Sequence, residues 1–167
     1  ALTYDYPGYG TSTGEPSEAG CYEAIQASYA YARQELGYRA DEIILYGRSL
    51  GSGPSVWLAE REPAAGLILD GAFTSTFRVM TGIRLLPWDR FDNLARLESL
   101  ELPVMVIHGR EDRVVPFSHA LKNYAAITAP KFQFFVEGAR HGNLIEIAGE
   151  RYWDAALSFI KTGSYEP

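Results

Sequence analysis

The 167-residue chain carries one cysteine, Cys21, and three histidines. A lone cysteine excludes an internal disulfide framework and a cysteine-based zinc cluster, and it fits a reducing compartment. No apolar run approaches the length of a membrane span. There is no internal repeat, no low-complexity tract and no linker that would split the chain. Positive charge is scarce: 15 Lys and Arg against 21 Asp and Glu give a net charge of -6, which argues against nucleic acid or an anionic membrane as the main partner. The glycine-rich phosphate motifs are also missing. No G-x-x-x-x-G-K-[ST] occurs, Gly51-Ser52-Gly53 runs into Pro54-Ser55-Val56, and Gly8-Tyr9-Gly10 with Gly14 has the wrong spacing for a dinucleotide fingerprint. The first residue is not methionine and the opening ALTYDYPGYG reads as if it began inside a strand, so upstream sequence is unread. Location is therefore open between cytoplasmic and membrane-anchored through such a segment.

What is present reads as one soluble globular domain over residues 1–167, with 47% apolar and 22% charged residues. Strand and helix signals alternate. Leu2 to Asp5 reads as the end of a strand, followed by a Gly/Pro/Ser-rich loop from Tyr6 to Pro16. Ser17 is a plausible N-cap for a helix in which Ile25, Ser28, Tyr29, Ala32 and Leu36 keep a helical period, stopped at Gly37. Strands are expected at Glu42 to Tyr46, buried on both faces, and at Gly66 to Leu69, Pro103 to Ile107 and Lys131 to Val136. Helices are expected at about Ser52 to Arg61, at Ser118 to Ala126, and at Glu150 to Lys161, the last with Tyr152, Trp153, Ala156, Phe159 and Ile160 on its apolar side. The 27 residues from Thr74 to Leu100 are too long for a bare loop and predict short helices. This alternation implies a parallel sheet covered by helices.

ILYGRSLGSG, residues 44 to 53, places Ser49 between Gly47 and Gly51 at the turn from a strand into a helix. Such a turn is sharp if the helix is to pack back on the sheet. It strains the serine, crowds its neighbours and so favours glycine two residues away on either side. The hydroxyl is thereby lifted above the C-terminal edge of the sheet, with N–H groups of the helix start close by. A serine needs a base and the base needs an orienting acid. Of the histidines, His141 follows the last strand in a glycine-containing loop; His108 reads as part of a strand-end turn and His119 as a helix residue. Asp112, in the loop between Gly109 and Pro116, is the candidate acid, with Glu111 its competitor. The order Ser49, Asp112, His141 is that of one of the common serine triads.

These features resemble an α/β-hydrolase of the serine-aminopeptidase-like type. DYPGYGTSTGEPSE, ILYGRSLGSG, DGAFTS, RFDNLARL and VIHGREDRVVPFSHA are similar to family segments over nearly the whole chain. The resemblance implies an α/β-hydrolase fold, a mostly parallel sheet flanked by helices, here with N-terminal strands missing. It implies Ser49 as nucleophile, Asp112 as triad acid, His141 as base and the Leu50 backbone N–H as an oxyanion donor, with no metal and no organic cofactor. The implied activity is cleavage of an ester, thioester or amide in a small-molecule or acyl-protein substrate; a non-catalytic binding or scaffold protein on the same fold is the alternative. A second oxyanion donor is implied from a His-Gly loop after an earlier strand, which nothing before Tyr4 supplies. The insert between Phe73 and Leu100 is too short for a large lid. Leu2 to Asp5 is expected to stand a strand's width from Ile43 to Tyr46 rather than pair with it, leaving the chain poorly stable and weakly active alone.

Overall fold

In the computed structural model, residues 1–75 and 91–166 are described. Four parallel strands lie in sequential order: β1 (Ile44–Arg48), β2 (Gly66–Asp70), β3 (Val104–Gly109) and β4 (Lys131–Val136). The register aligns Arg48 with Asp70, Asp70 with Ile107, and Gly109 with Val136, so the strands end along one edge. Among the described residues the α-helices are α1 (Glu18–Gln34), α2 (Ser52–Ala59), α3 (Asn93–Leu97), α4 (Phe117–Ala126), α5 (Leu144–Ala148) and α6 (Glu150–Thr162). Strands stepping in one direction through crossovers of one hand place the intervening helices on one face of the sheet.

Period-two alternation sends the strand side chains into two cores. Leu67, Leu69, Val104 and Val106 join Ile25 and Tyr29 of α1, Val56 and Leu58 of α2, Leu97 of α3 and Ala120 of α4. Ile68, Met105 and Ile107 join Leu144 and Ala148 of α5 and Tyr152, Ala155 and Phe159 of α6. All five residues of β2 and all six of β3 are buried, which is why both read as apolar runs up to Asp70 and His108 at their ends. Ser17 caps α1 by accepting from the Gly20 N–H at 3.0 Å, and Gly37 takes φ +75 just beyond its end.

Three local expectations are corrected. Leu2 to Asp5 is not a strand: it makes no ladder with β1 or any other described segment, and an extended backbone becomes a strand only when a neighbour shares its hydrogen bonds. Tyr4 instead packs on the first core and edge-on against Tyr6, with ring centroids 5.4 Å apart. β1 is not buried on both faces. It is an outer strand, and Tyr46 is 48% exposed. In α6, Trp153 and Ile160 lie about half exposed, because the stripe that meets the sheet is Tyr152, Ala155, Ala156 and Phe159. Of the short helices expected between Thr74 and Leu100, α3 is present; residues 76–90 lie outside the described residues.

Candidate active site

Ser49 follows β1 directly and opens a short 3-10 turn, Ser49–Gly51, that leads into α2. Its φ is +49, one of two positive values among described non-glycine residues. That conformation is unfavourable for a residue with a Cβ and persists only where the surroundings enforce it. Gly47 is one part of the enforcement. A Cβ there would stand 2.8 Å from the Gly51 carbonyl oxygen, the Ser52 Cα and the Ser55 Oγ, so the strand can meet the helix this closely only with glycine. Gly51 differs from expectation: a Cβ there would meet only the Tyr6 hydroxyl at 3.6 Å among the described residues, an ordinary contact. The crowding lies on the strand side of the turn.

His141 sits in the loop after β4 and Asp112 in the loop after β3. His141 Nε2 is 3.0 Å from Ser49 Oγ, and His141 Nδ1 is 2.7 Å from Asp112 Oδ2. A carboxylate accepts only, so the ring proton on Nδ1 is donated to Asp112 and Nε2 is left as an acceptor for the serine hydroxyl. Asp112 is 6% exposed. Its other oxygen, Oδ1, accepts the backbone N–H groups of Val114 at 2.8 Å and Val115 at 2.9 Å, which aims Oδ2 at the histidine. Glu111 is exposed and contributes its backbone N–H to the Ala139 carbonyl at 3.0 Å, joining the acid loop to the histidine loop. Gly71, at φ +60, gives the ring its space: a Cβ there would lie 3.1 Å from His141 Cε1.

The other two histidines make different contacts. His108 is fully buried in β3 and donates from Nε2 to the Val115 carbonyl at 2.8 Å, with Asp112 Oδ2 3.4 Å from the same nitrogen. Burial pushes its pKa below the ordinary histidine value, so the ring is held neutral. Its Nδ1 has no hydrogen-bond partner among the described residues. His119, in α4, presents Nδ1 to the Thr74 N–H at 3.1 Å and the Thr74 hydroxyl at 3.0 Å.

Beneath the serine lies a buried polar frame that sequence reasoning did not assign. Ser52 Oγ donates to the Ser49 carbonyl at 2.6 Å. The Asn93 side-chain amide donates to Ser52 Oγ at 3.1 Å and to the Phe73 carbonyl at 3.0 Å. Asn123 donates to the Ala72 and Phe73 carbonyls, both at 3.2 Å. The frame ties the strained turn to the loop after β2, to α3 and to α4. Ser52 stands in ILYGRSLGSG and Asn93 in RFDNLARL, but nothing in either segment or around Asn123 marks the three as members of one frame.

The arrangement can therefore deliver a serine hydroxyl, an acceptor nitrogen and a carboxylate in one line. Leu50 follows Ser49 in the first turn of the 3-10 helix Ser49–Gly51, where backbone N–H groups have no intrahelical acceptor. No group of His, Cys, Asp and Glu among the described residues has the arrangement of a metal site.

A parallel sheet with a serine on the strand-to-helix turn is the architecture of the α/β hydrolases. Residues 2–97 match the family model for the alpha/beta hydrolase fold, and the chain belongs to that family. It is 39% identical over 161 residues to alpha/beta hydrolase domain-containing protein 17B of Homo sapiens, covering 95% of this chain and 55% of the relative. It is 38% identical to alpha/beta hydrolase domain-containing protein 17C of Xenopus laevis, covering 95% and 51%. The chain spans about half the length of these curated relatives. The same fold is found in a sugar hydrolase of Lactococcus lactis, with TM-score 0.76, 18% identity and coverage of 95% of this chain and 74% of that one. A monoacylglycerol lipase of Paleococcus ferrophilus superposes with TM-score 0.73, 19% identity and coverage of 96% and 82%.

Proposed function

We propose that this protein is a serine hydrolase that cleaves an acyl bond, in an ester, thioester or amide, through an acyl-enzyme on Ser49. The observation that carries the reading is the continuous hydrogen-bond line from Ser49 Oγ through His141 to Asp112, 3.0 and 2.7 Å long. His141 Nε2 takes the hydroxyl proton as Oγ adds to the acyl carbonyl. Asp112 holds the ring's tautomer and stabilises the imidazolium that forms. The Leu50 N–H donates to the carbonyl oxygen as it gains charge. The imidazolium then gives its proton to the leaving group, and the C–O, C–S or C–N bond breaks to leave the acyl group on Oγ. Water, losing a proton to His141, adds to the acyl carbon, and the Oγ–C bond breaks as the imidazolium returns that proton to Oγ, releasing the acid and restoring the serine and the neutral histidine.

The substrate in this reading is a small molecule or an acylated protein. The test is labelling with a fluorophosphonate, which phosphonylates an activated serine. The wild-type protein is expected to carry the label on Ser49, and Ser49→Ala to lose both label and ester turnover. Hydrolysis at near-wild-type rate by Ser49→Ala would overturn the reading.

A further inference from the structure

The residue before the serine, Arg48, has no role in the chemistry above, yet it is bound at both ends. Its Nη2 donates to the main-chain carbonyl of His141 at 3.0 Å. Its Nε lies 3.8 Å from Asp70 Oδ2. Asp70 ends β2 in register with Arg48 at the end of β1 and is 3% exposed. The same carboxylate oxygen accepts from the Tyr46 hydroxyl at 2.7 Å and the Tyr152 hydroxyl at 2.9 Å. Tyr46 shares a strand face with Arg48 two residues on, and Tyr152 comes from α6. Asp70 is thus fixed by β2, by β1 and by α6, the helix packed on the sheet, whereas His141 lies in a loop.

We infer that Arg48 is a positioning residue for His141: its guanidinium spans from the Asp70 carboxylate to the His141 carbonyl and holds the imidazole in register with Ser49. The inference rests on the proposed role of His141. A planar guanidinium suits the task, because it reaches two oxygens on separate elements from one rigid group. Its stem runs from the residue adjoining the nucleophile, so serine and histidine are referred to one anchor. Displacement of the base by about 1 Å is enough to cost on the order of 100-fold in rate, so a brace at its backbone has leverage.

The test uses the protein with Arg48→Gln, Arg48→Lys, Asp70→Asn and the Arg48→Gln/Asp70→Asn double variant. Four readouts are taken: fluorophosphonate labelling rate, kcat and KM on an activated acyl ester, and thermal midpoint. Arg48→Gln is expected to label about 10-fold more slowly, with the loss in kcat and KM unchanged, because both ends of Arg48 are occupied by the protein's own oxygens. Arg48→Lys, which reaches one oxygen of the two, is expected to recover part of the rate. The double variant is expected to lose no more than the more affected single variant, since both changes break one bridge. Equal labelling of wild type and Arg48→Gln overturns the inference, as does a loss confined to KM, a loss that follows the melted fraction, or losses that multiply in the double variant. Absence of label from Ser49 in the wild type overturns the proposed function and this inference with it.

Discussion

Two buried aspartates stand at the same edge of the sheet, Asp70 at the end of β2 and Asp112 in the loop after the neighbouring β3, and are used differently. Asp112 has one oxygen saturated by backbone N–H groups, which leaves the other for His141. Asp70 gathers two phenols on one oxygen, with a guanidinium 3.8 Å away. Both are desolvated carboxylates with compensating donors, as buried charge requires. The difference lies in what the partners can do. An imidazole changes its protonation near neutral pH, whereas a phenol beside a carboxylate keeps its proton. Burial pushes Tyr46 well above the ordinary phenol value and Tyr152 up to about 12, with the Asp70 charge adding to both. One aspartate faces a group that can move a proton; the other faces groups that cannot, and serves as a brace.

The sharpest way to break this comparison is to exchange the histidines around Asp112. His141→Gln is expected to lower kcat by about 10⁴ to 10⁶ while leaving the fold intact. His108→Gln removes a ring that touches the same aspartate yet faces no serine. It is expected to destabilise the protein and to keep most of the kcat of whatever remains folded. Steady-state kinetics alongside circular dichroism separate the two, and a dead but folded His108→Gln with an active His141→Gln would reassign the base.

Next in size are the aspartates themselves. Asp112→Asn keeps the shape but presents an amide where a carboxylate fixes the ring tautomer, and about 10⁴-fold in kcat is the expected loss. Asp70→Asn is expected to cost about 10-fold, through Arg48 alone. Equal losses from both would mean that the two carboxylates are not divided into reaction centre and brace.

These contrasts bear on what the sequence could disclose. Ser49, Asp112 and His141 were legible because each follows a strand, and apolar runs such as Val104 to Ile107 mark strand ends within one or two residues. Local chemistry does not disclose partners separated by many positions. Asp70 lies just past the expected strand Gly66 to Leu69 and drew no expectation, because its two phenol donors come from residues 46 and 152 and its guanidinium partner from residue 48. Asn93 and Asn123 drew no expectation of their own, since nothing nearby in sequence announces that they meet the Phe73 carbonyl. Leu2 to Asp5 failed for a related reason: strand propensity is a statement about side chains, while a strand exists only where a neighbouring backbone completes it. Gly51 failed more narrowly. The pattern of glycine two residues either side of serine was read as symmetrical crowding, and contact falls on Gly47.

A smaller effect is expected on the acid side, from His108. Its ordinary value is about 6.5, and burial lowers it in the fold. The unfolded chain then takes up a proton at higher pH than the native one does. The stability contributed by the neutral ring is complete above pH ~6.5 and declines as pH falls from there toward the native value. Urea midpoints measured from pH 7.5 downward should fall for the wild type and fall less for His108→Gln relative to its own value at pH 7.5. Parallel curves would show that this ring does not titrate between the two states.

The smallest expected effect lies on the alkaline side and belongs to Asp70. Phenols in the unfolded chain ionise near pH 10, whereas Tyr152 in the fold is pushed up to about 12 and Tyr46 beyond it. A raised native value means stability that is complete below pH ~10 and lost as pH rises above it, because unfolding releases protons that the native phenols retain. Tyr4, Tyr6, Tyr22 and Tyr29 are raised by burial as well, so the wild-type slope is a sum over several rings. The informative quantity is therefore the difference between wild type and Tyr152→Phe. At neutral pH the variant is expected to lose about 1–3 kcal/mol, the cost of one donor withdrawn from a buried carboxylate. Between pH ~10 and 12 that deficit should shrink, since the variant has one fewer proton to release on unfolding. Chemical denaturation at pH 8, 10 and 11, read by fluorescence, measures it. A deficit constant across this range would mean that Tyr152 ionises alike in both states, and the carboxylate would then do no more at Asp70 than accept hydrogen bonds.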